Sequence, residues 1–223
     1  MLDKVYVMHY TKNHERWRHI TMEITKWFPD VVYEFIECYD KEDITNEIIN
    51  KNFDKEVYKK KFGREFSLAE MSLCMKFKTC FSKAAKCEGE NFLFLEDDVI
   101  FKEDPISYIA NLLNKCVAQN IDFDCVFLGE AGLRYGDNRD VFFLKDHPAT
   151  NGTCTMLYKK HAVEKICEDF QTNPVITQAM DWELNDRFKN LDMKIYWGKA
   201  ITKHGSVIAE RKGEFTTLKS MLR

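Results

Sequence analysis

The sequence predicts one α/β domain built on a mixed sheet. Strand, helix and strand follow one another in the opening segment, and two later strands read as continuous apolar runs, F-L-F-L at 92–95 and C-V-F-L at 125–128. At 223 residues the chain is long enough for one sizeable core and too short for two ordinary domains.

The opening strand is Val5-Tyr6-Val7-Met8. Trp17, Ile20, Ile24, Trp27 and Phe28 then recur at helical spacing, with Asn13 as N-cap and Pro29 ending the pattern. Val31 to Ile36 reads as strand two, which completes a βαβ unit. Residues 40–65 are charged, and one short helix around Ile44, Ile48 and Ile49 is expected inside a long connection. Ser67 and Glu70 form a capping-box pattern for a helix presenting Leu68, Met71, Met75 and Phe81 on one face, running to about Lys86 with Gly89 placed to end it. After the apolar run at 92–95 come Glu96, Asp97 and Asp98. Asp104 and Pro105 are an N-cap and first-turn pair for a helix carrying Ile106, Ile109, Leu113 and Cys116. Gly129 and Glu130 close the strand at 125–128, and Arg134 to Asp140 reads as a loop. Val141–Leu144 and Thr153–Tyr158 are further strands, helices cover 161–170 and 181–190, and Ile195-Tyr196 begins a last short strand. The tail after Gly205 is basic and irregular.

Composition excludes several classes. The net charge of −3 is spread along the chain, and no basic block suggests nucleic-acid binding. No run approaches the roughly 20 apolar residues of a membrane helix, and the N-terminus reads as a buried strand rather than a signal peptide. The eight cysteines include no C-x-x-C pair, and Cys74, Cys80, Cys87, Cys116, Cys125 and Cys167 sit in apolar patterns. They read as reduced core residues of a cytoplasmic chain, with no support for a zinc site. Neither a P-loop nor a G-x-S-x-G elbow occurs, which argues against P-loop phosphoryl transfer and a serine hydrolase. Oligomeric state is open.

The chemical signal is F-L-F-L-E-D-D-V at 92–99. Three carboxylates ending a strand buried on both faces repel one another and resist desolvation, yet suit the carboxyl edge of an open α/β sheet, where ligand crevices form. A divalent cation offsets the repulsion. Mg²⁺ or Mn²⁺ takes one or two carboxylates and completes its shell with phosphate oxygens and water. On an extended chain Glu96 and Asp98 point one way and Asp97 the other, so one side chain holds metal while another touches a ribose or orders the loop. An acidic turn capping the helix near Asp104 is the competing reading. Spacing alone does not separate a sugar transferase from a metal-dependent phosphatase or nucleotidyltransferase.

The run S-L-A-E-M-S-L-C-M-K at 67–76, followed by L-F-L-E-D-D-V, resembles glycosyltransferase family 25, which includes lipopolysaccharide and lipooligosaccharide sugar transferases and collagen galactosyltransferase domains. Val7 to Arg16, F-L-G-E at 127–130, T-N-G-T-C-T-M-L-Y at 150–158, Ala162 and Met180-Asp181 resemble further family motifs in the same order. The resemblance reaches to about His204. It implies a GT-A-type, Rossmann-like nucleotide-diphospho-sugar transferase fold with a mixed, mostly parallel central sheet. It also implies Mn²⁺ or Mg²⁺, and inverting transfer of a hexose, galactose or glucose, from a UDP-sugar to a glycan or protein-glycan hydroxyl. The chain departs from the family at His9-Tyr10, where Asn-Leu is usual, and at Lys76-Phe77, which keeps the lysine and loses a histidine. A catalytically inactive sugar- or nucleotide-binding protein of the same fold is the alternative; this chain keeps all three acids and Asp181.

Roles follow from that resemblance. Asp98 is the first candidate metal ligand, assisted by Glu96 or Asp97, and His204 is a candidate to complete the shell, against a solvated loop histidine. Asp181 is the candidate general base, against an ordinary helix N-cap. Glu70 is a candidate to orient donor or metal shell, beside its capping-box role. Arg16 and Lys76 are candidates to meet the diphosphate, against solvated surface cations. His9, Tyr10 and Thr11 to Asn13 lie where the base and ribose bind. Asn151, Gly152 and Thr153 line the acceptor side, with Trp182 as a platform for a sugar face. The basic tail (Lys203, Arg211, Lys212, Lys219, Arg223) is a candidate contact for an anionic membrane or lipid-linked acceptor, against a frayed terminus.

Overall fold

The computed structural model describes residues 1–130, 143–144, 148–149 and 152–204. The expected loop at Arg134–Asp140, the first two residues of the strand at 141–144, Asn151, and the tail from Gly205 lie outside them. β1 (Lys4–Met8), α1 (His14–Trp27) and β2 (Val32–Ile36) make the βαβ unit. β1 runs parallel to β2 on one side and to β3 (Asn91–Glu96) on the other. The predicted helices α4 (Leu68–Lys86), α5 (Pro105–Ala118), α6 (Lys160–Thr172) and α7 (Met180–Asn190) are all present. Among the described residues the main sheet has seven strands, ordered β2-β1-β3-β7-β5-β8-β6, with β5 (Cys125–Phe127), β6 (Phe143–Leu144), β7 (Thr155–Lys159) and β8 (Ile195–Trp197) completing it. β7 is antiparallel to both β3 and β5, and β6 is antiparallel to β8. The sheet is therefore mixed, and the remaining strands share one direction.

Local signals placed most helices. Asn13, Ser67 and Asp104 each accept a hydrogen bond from the first turn of the helix they precede. Phe92, Leu93, Phe94 and Leu95 are fully buried, as a strand covered on both faces requires. α1 buries Ile20 and Ile24, but Trp17 lies 44% exposed instead of on the buried face. Leu68 is likewise 44% exposed, at the open end of α4. Val32 and Tyr33 are exposed because β2 is the sheet edge.

Two departures have tertiary causes. The expected single helix in 40–65 is a short 3-10 turn (Lys41–Asp43) followed by α2 (Asn46–Asn52) and α3 (Lys55–Phe62). Phe53 is extended between them and bridges to Ile176, while the Asp54 N–H donates to the Ile176 carbonyl at 3.0 Å. Asp54 then caps α3. The second departure is a two-stranded sheet of β4 (Val99–Phe101) and β9 (Thr202–His204), which joins the acidic motif to the far end of the described chain. Three-residue strands paired across a hundred positions leave no local pattern to read.

Gly89 does not cap α4, whose C-cap is Cys87; it turns the chain at φ +116° just beyond. A Cβ there would stand 2.7 Å from Asp3 Cβ, so glycine serves both the dihedral and the close approach. All eight cysteines are free thiols, and six are buried. Burial pushes the Cys74, Cys80 and Cys125 thiols well above their ordinary range, which suits inert core residues. Among the described residues no helix is long and apolar enough to cross a membrane.

Candidate active site

The parallel register sets Met8 opposite Glu96, so the residues that follow, His9 and Asp97, meet at the carboxyl edge of the sheet. The chain turns at Asp97 and Asp98 rather than continuing extended, so the expected alternation of their side chains does not hold. Instead both aspartates face one guanidinium. Arg16 Nη1 donates to Asp97 Oδ1 at 2.8 Å, and Nη2 lies 3.2 Å from Asp98 Oδ2. Asp97 Oδ2 lies 2.7 Å from His9 Nδ1 and accepts the Tyr10 N–H at 3.2 Å. His9 packs edge-on against Phe35. Burial works against the Arg16 charge, but Asp98 and Asp97 outweigh it and hold its pKa above the ordinary arginine value. Arg16 is thus a buried ion-pair partner rather than a solvated surface cation.

A second charged cluster joins the loops after β1 and β2. Lys76, buried on α4, donates from Nζ to Asp40 Oδ1 and to the Cys38 carbonyl, both at 2.8 Å. The Thr11 hydroxyl and N–H donate to the other Asp40 oxygen. Burial opposes the Asp40 charge, but Lys76 and Thr11 prevail and lower its pKa. Lys76 therefore has two of its three N–H donors directed to protein acceptors. Tyr10 reaches over the same opening and donates from its hydroxyl to Glu42 at 2.6 Å, and burial and Glu42 together raise its pKa to about 12.

His9, Tyr10, Arg16, Lys76 and Asp97 from these clusters line one crevice, together with Glu70 and Glu96, while Asp98 lies buried behind Arg16. Thr153, just before β7, donates to Glu96 Oε1 at 2.6 Å and ties the acidic strand end to its antiparallel neighbour. Glu70 closes the capping box of α4 and also receives both Arg64 terminal nitrogens, at 2.8 and 2.5 Å, and the Tyr58 hydroxyl at 3.0 Å. Burial opposes its charge, yet Arg64, Ser67 and Tyr58 bring its pKa down to about 2. A carboxylate with a depressed folded pKa adds stability above its unfolded value, near 4.5, and loses it as pH falls toward 2. Glu70→Gln is accordingly expected to cost roughly 2 kcal/mol at pH 7, with the gap to wild type closing only as pH falls through about 2. Urea titrations at the two pH values check this; an equal gap at both would show that Glu70 acts through shape rather than charge.

Asp181 lies in the first turn of α7, where Ala179, not Asp181, is the N-cap. Its Oδ1 accepts the Trp182 N–H at 2.9 Å. Burial first, and the charge of Glu70 as a smaller contribution, raise its pKa above the ordinary aspartate value. Trp182 beside it is 36% exposed. Asn151 and the His204 side chain lie outside the described residues; the β9 backbone of His204 pairs with Val99, next to Asp98. Sequence reasoning missed Asp40, although an acid shortly after a parallel strand was the available signal. Among the described residues no group of three or more His, Cys, Asp or Glu side chains is arranged to hold a metal ion.

The sheet is mixed, and Glu96 and Asp97 at the end of β3 line a crevice at its carboxyl edge, where open α/β folds bind ligands. The chain belongs to glycosyltransferase family 25 (LPS biosynthesis protein), whose sequence model matches residues 2–173. No curated protein matches it. Solved structures resemble it at low identity. Residues 1–349 of TarS from S. aureus are 13% identical, with 92% of this chain and 61% of that one covered and a TM-score of 0.46. A proposed glucose-1-phosphate thymidylyltransferase from Bacillus anthracis is 9% identical, covering 96% and 94%, with a TM-score of 0.47. A proposed nucleotide-diphospho-sugar transferase from Desulfovibrio desulfuricans is 11% identical, covering 90% and 83%, with a TM-score of 0.42.

Proposed function

We propose that this glycosyltransferase is an inverting, metal-dependent enzyme that passes a hexose, galactose or glucose, from a UDP-sugar to a hydroxyl of a glycan or protein-linked glycan, on the cytoplasmic side. The observation that carries this reading is the meeting of Asp97 and Asp98 with Arg16 beside a crevice lined by Arg16, Asp97, Glu96, Glu70 and Lys76. The donor set is hard carboxylate oxygen, which fits Mn²⁺ or Mg²⁺. Such a cation takes one or two of these carboxylates and completes its shell with diphosphate oxygens and water. Asp98 is the first ligand in this proposal, with Glu96 or Asp97 assisting and His204 as a further candidate. Such a cation would offset charge gathering on the leaving diphosphate.

The chain's own residues supply the remaining functions. Arg16 and Lys76 bring positive charge to the crevice for the phosphates. His9, Tyr10 and Thr11 border the part assigned to base and ribose. Asp181, whose burial favours the protonated form, takes the proton of the acceptor hydroxyl as it attacks, and Trp182 and Thr153 are assigned to the acceptor side, with Asn151 a further candidate from the sequence.

Thermal shifts test the reading directly. UDP, GDP and CMP are each added with and without Mn²⁺ to wild type and to Asp98→Ala. A ligand at a hundred times its Kd stabilises by about 2.7 kcal/mol. UDP with Mn²⁺ is expected to stabilise wild type and to leave Asp98→Ala unmoved. A response to GDP or CMP alone would replace the donor, and silence from every nucleotide would end the proposal.

A further inference from the structure

Arg16 occupies the position of a cation. Its side chain is 6% exposed, against 5% for Asp97 and 3% for Asp98, so the three charges share one desolvated site. The Asn13 side chain caps α1 at the Arg16 N–H itself, which anchors the backbone carrying the guanidinium. Two of the buried guanidinium nitrogens, Nε and Nη2, have no aligned hydrogen-bond acceptor. Leaving buried donors unsatisfied is costly, and an anion entering the crevice relieves it.

Charge decides what else can enter. Against two aspartates, one guanidinium already supplies half the positive charge that a divalent cation would bring. A bare divalent ion placed beside Asp98 also meets the guanidinium at short range in a water-poor site, where repulsion is strong. A diphosphate beside Arg16 would change both contributions at once: it would offer acceptors to the guanidinium, and its negative charge would compensate the incoming ion.

We propose that Arg16 is the resident counter-cation of the Asp97–Asp98 pair, so that the free protein takes up Mn²⁺ weakly and the metal enters together with the diphosphate that engages the guanidinium. This rests on the metal-dependent reading above. Metal and nucleotide are then reciprocally coupled, each tightening the other by the same factor.

The test counts free Mn²⁺ by electron paramagnetic resonance in titrations of wild type, Arg16→Gln, Arg16→Lys and the double variant Arg16→Gln with Asp98→Asn, each with and without UDP. Circular dichroism confirms that each variant is folded. Wild type and Arg16→Lys, which keep the charge, are expected to bind Mn²⁺ alone at least tenfold more weakly than Arg16→Gln. The double variant should lose that gain, and UDP should tighten Mn²⁺ on wild type at least tenfold. Equal Mn²⁺ affinity of wild type and Arg16→Gln, with normal tightening by UDP, overturns the counter-cation role and leaves the metal-dependent transferase standing. No Mn²⁺ uptake in any sample, UDP included, overturns the metal reading itself. If Arg16→Gln does not fold, the wild-type pair of titrations decides: Mn²⁺ binding that is within threefold with and without UDP overturns the proposal.

Discussion

Asp97→Ala is expected to cost about 3–5 kcal/mol of stability, the usual penalty for breaking a buried ion pair from one side. Every contact of this carboxylate is internal. Oδ1 receives Arg16, and Oδ2 lies against His9 and receives the Tyr10 N–H. Removal leaves the Arg16 guanidinium with Asp98 as its remaining ion pair among the described residues, with Glu96 acting more weakly, and strips partners from two groups on the loop after β1. For a chain of this size the melting temperature should fall on the order of 10 °C. Asp97→Asn should fall between the two, because one amide oxygen still accepts while the negative charge is gone. Chemical denaturation of the three proteins measures this. A loss below about 1 kcal/mol for the alanine variant would mean that Arg16 relaxes into solvent and that the network does not hold the two strand ends together.

Asp181→Asn is expected to lower kcat by about 10²–10⁴-fold, the range for removing a positioned general base. The donor KM should change little, since Asp181 is assigned to the acceptor side. The sign of the pH dependence follows from burial. A base works deprotonated, and desolvation raises the Asp181 pKa above its ordinary 3.8, so wild-type activity should rise with pH through a point above that value. The same burial means that Asp181 disfavours folding at neutral pH relative to a neutral residue, so the asparagine variant should be at least as stable as wild type. Steady-state kinetics and a melt on one preparation separate the two effects. Activity within threefold of wild type would remove Asp181 from the mechanism.

The two charged clusters differ in how legible they were. Arg16 and the three acids stood out because a family motif carried them, and Lys76 for the same reason. What these groups touch was not legible. Arg16 and Asp97 are separated by 81 positions and meet only because β1 and β3 lie side by side in one parallel register. Asp40 went unnoticed because its partners, Lys76 and Thr11, come from α4 and from the loop after β1.

The sequence by itself determined the helices outside 40–65 and the buried strands. N-caps at Asn13, Ser67 and Asp104 act within three residues of themselves, and F-L-F-L can be satisfied only where both faces are covered. It also determined the family, since the motifs are contiguous runs. Tertiary structure alone decided that the chain turns at Asp97 and Asp98, that β4 pairs with β9, that Phe53 splits the helices near it, and that Trp17 faces outward. Each of these depends on a partner far along the chain. Propensity and periodicity report on neighbours within a turn or two, whereas sheet register and the sharing of a buried guanidinium by two carboxylates are properties of the packed whole.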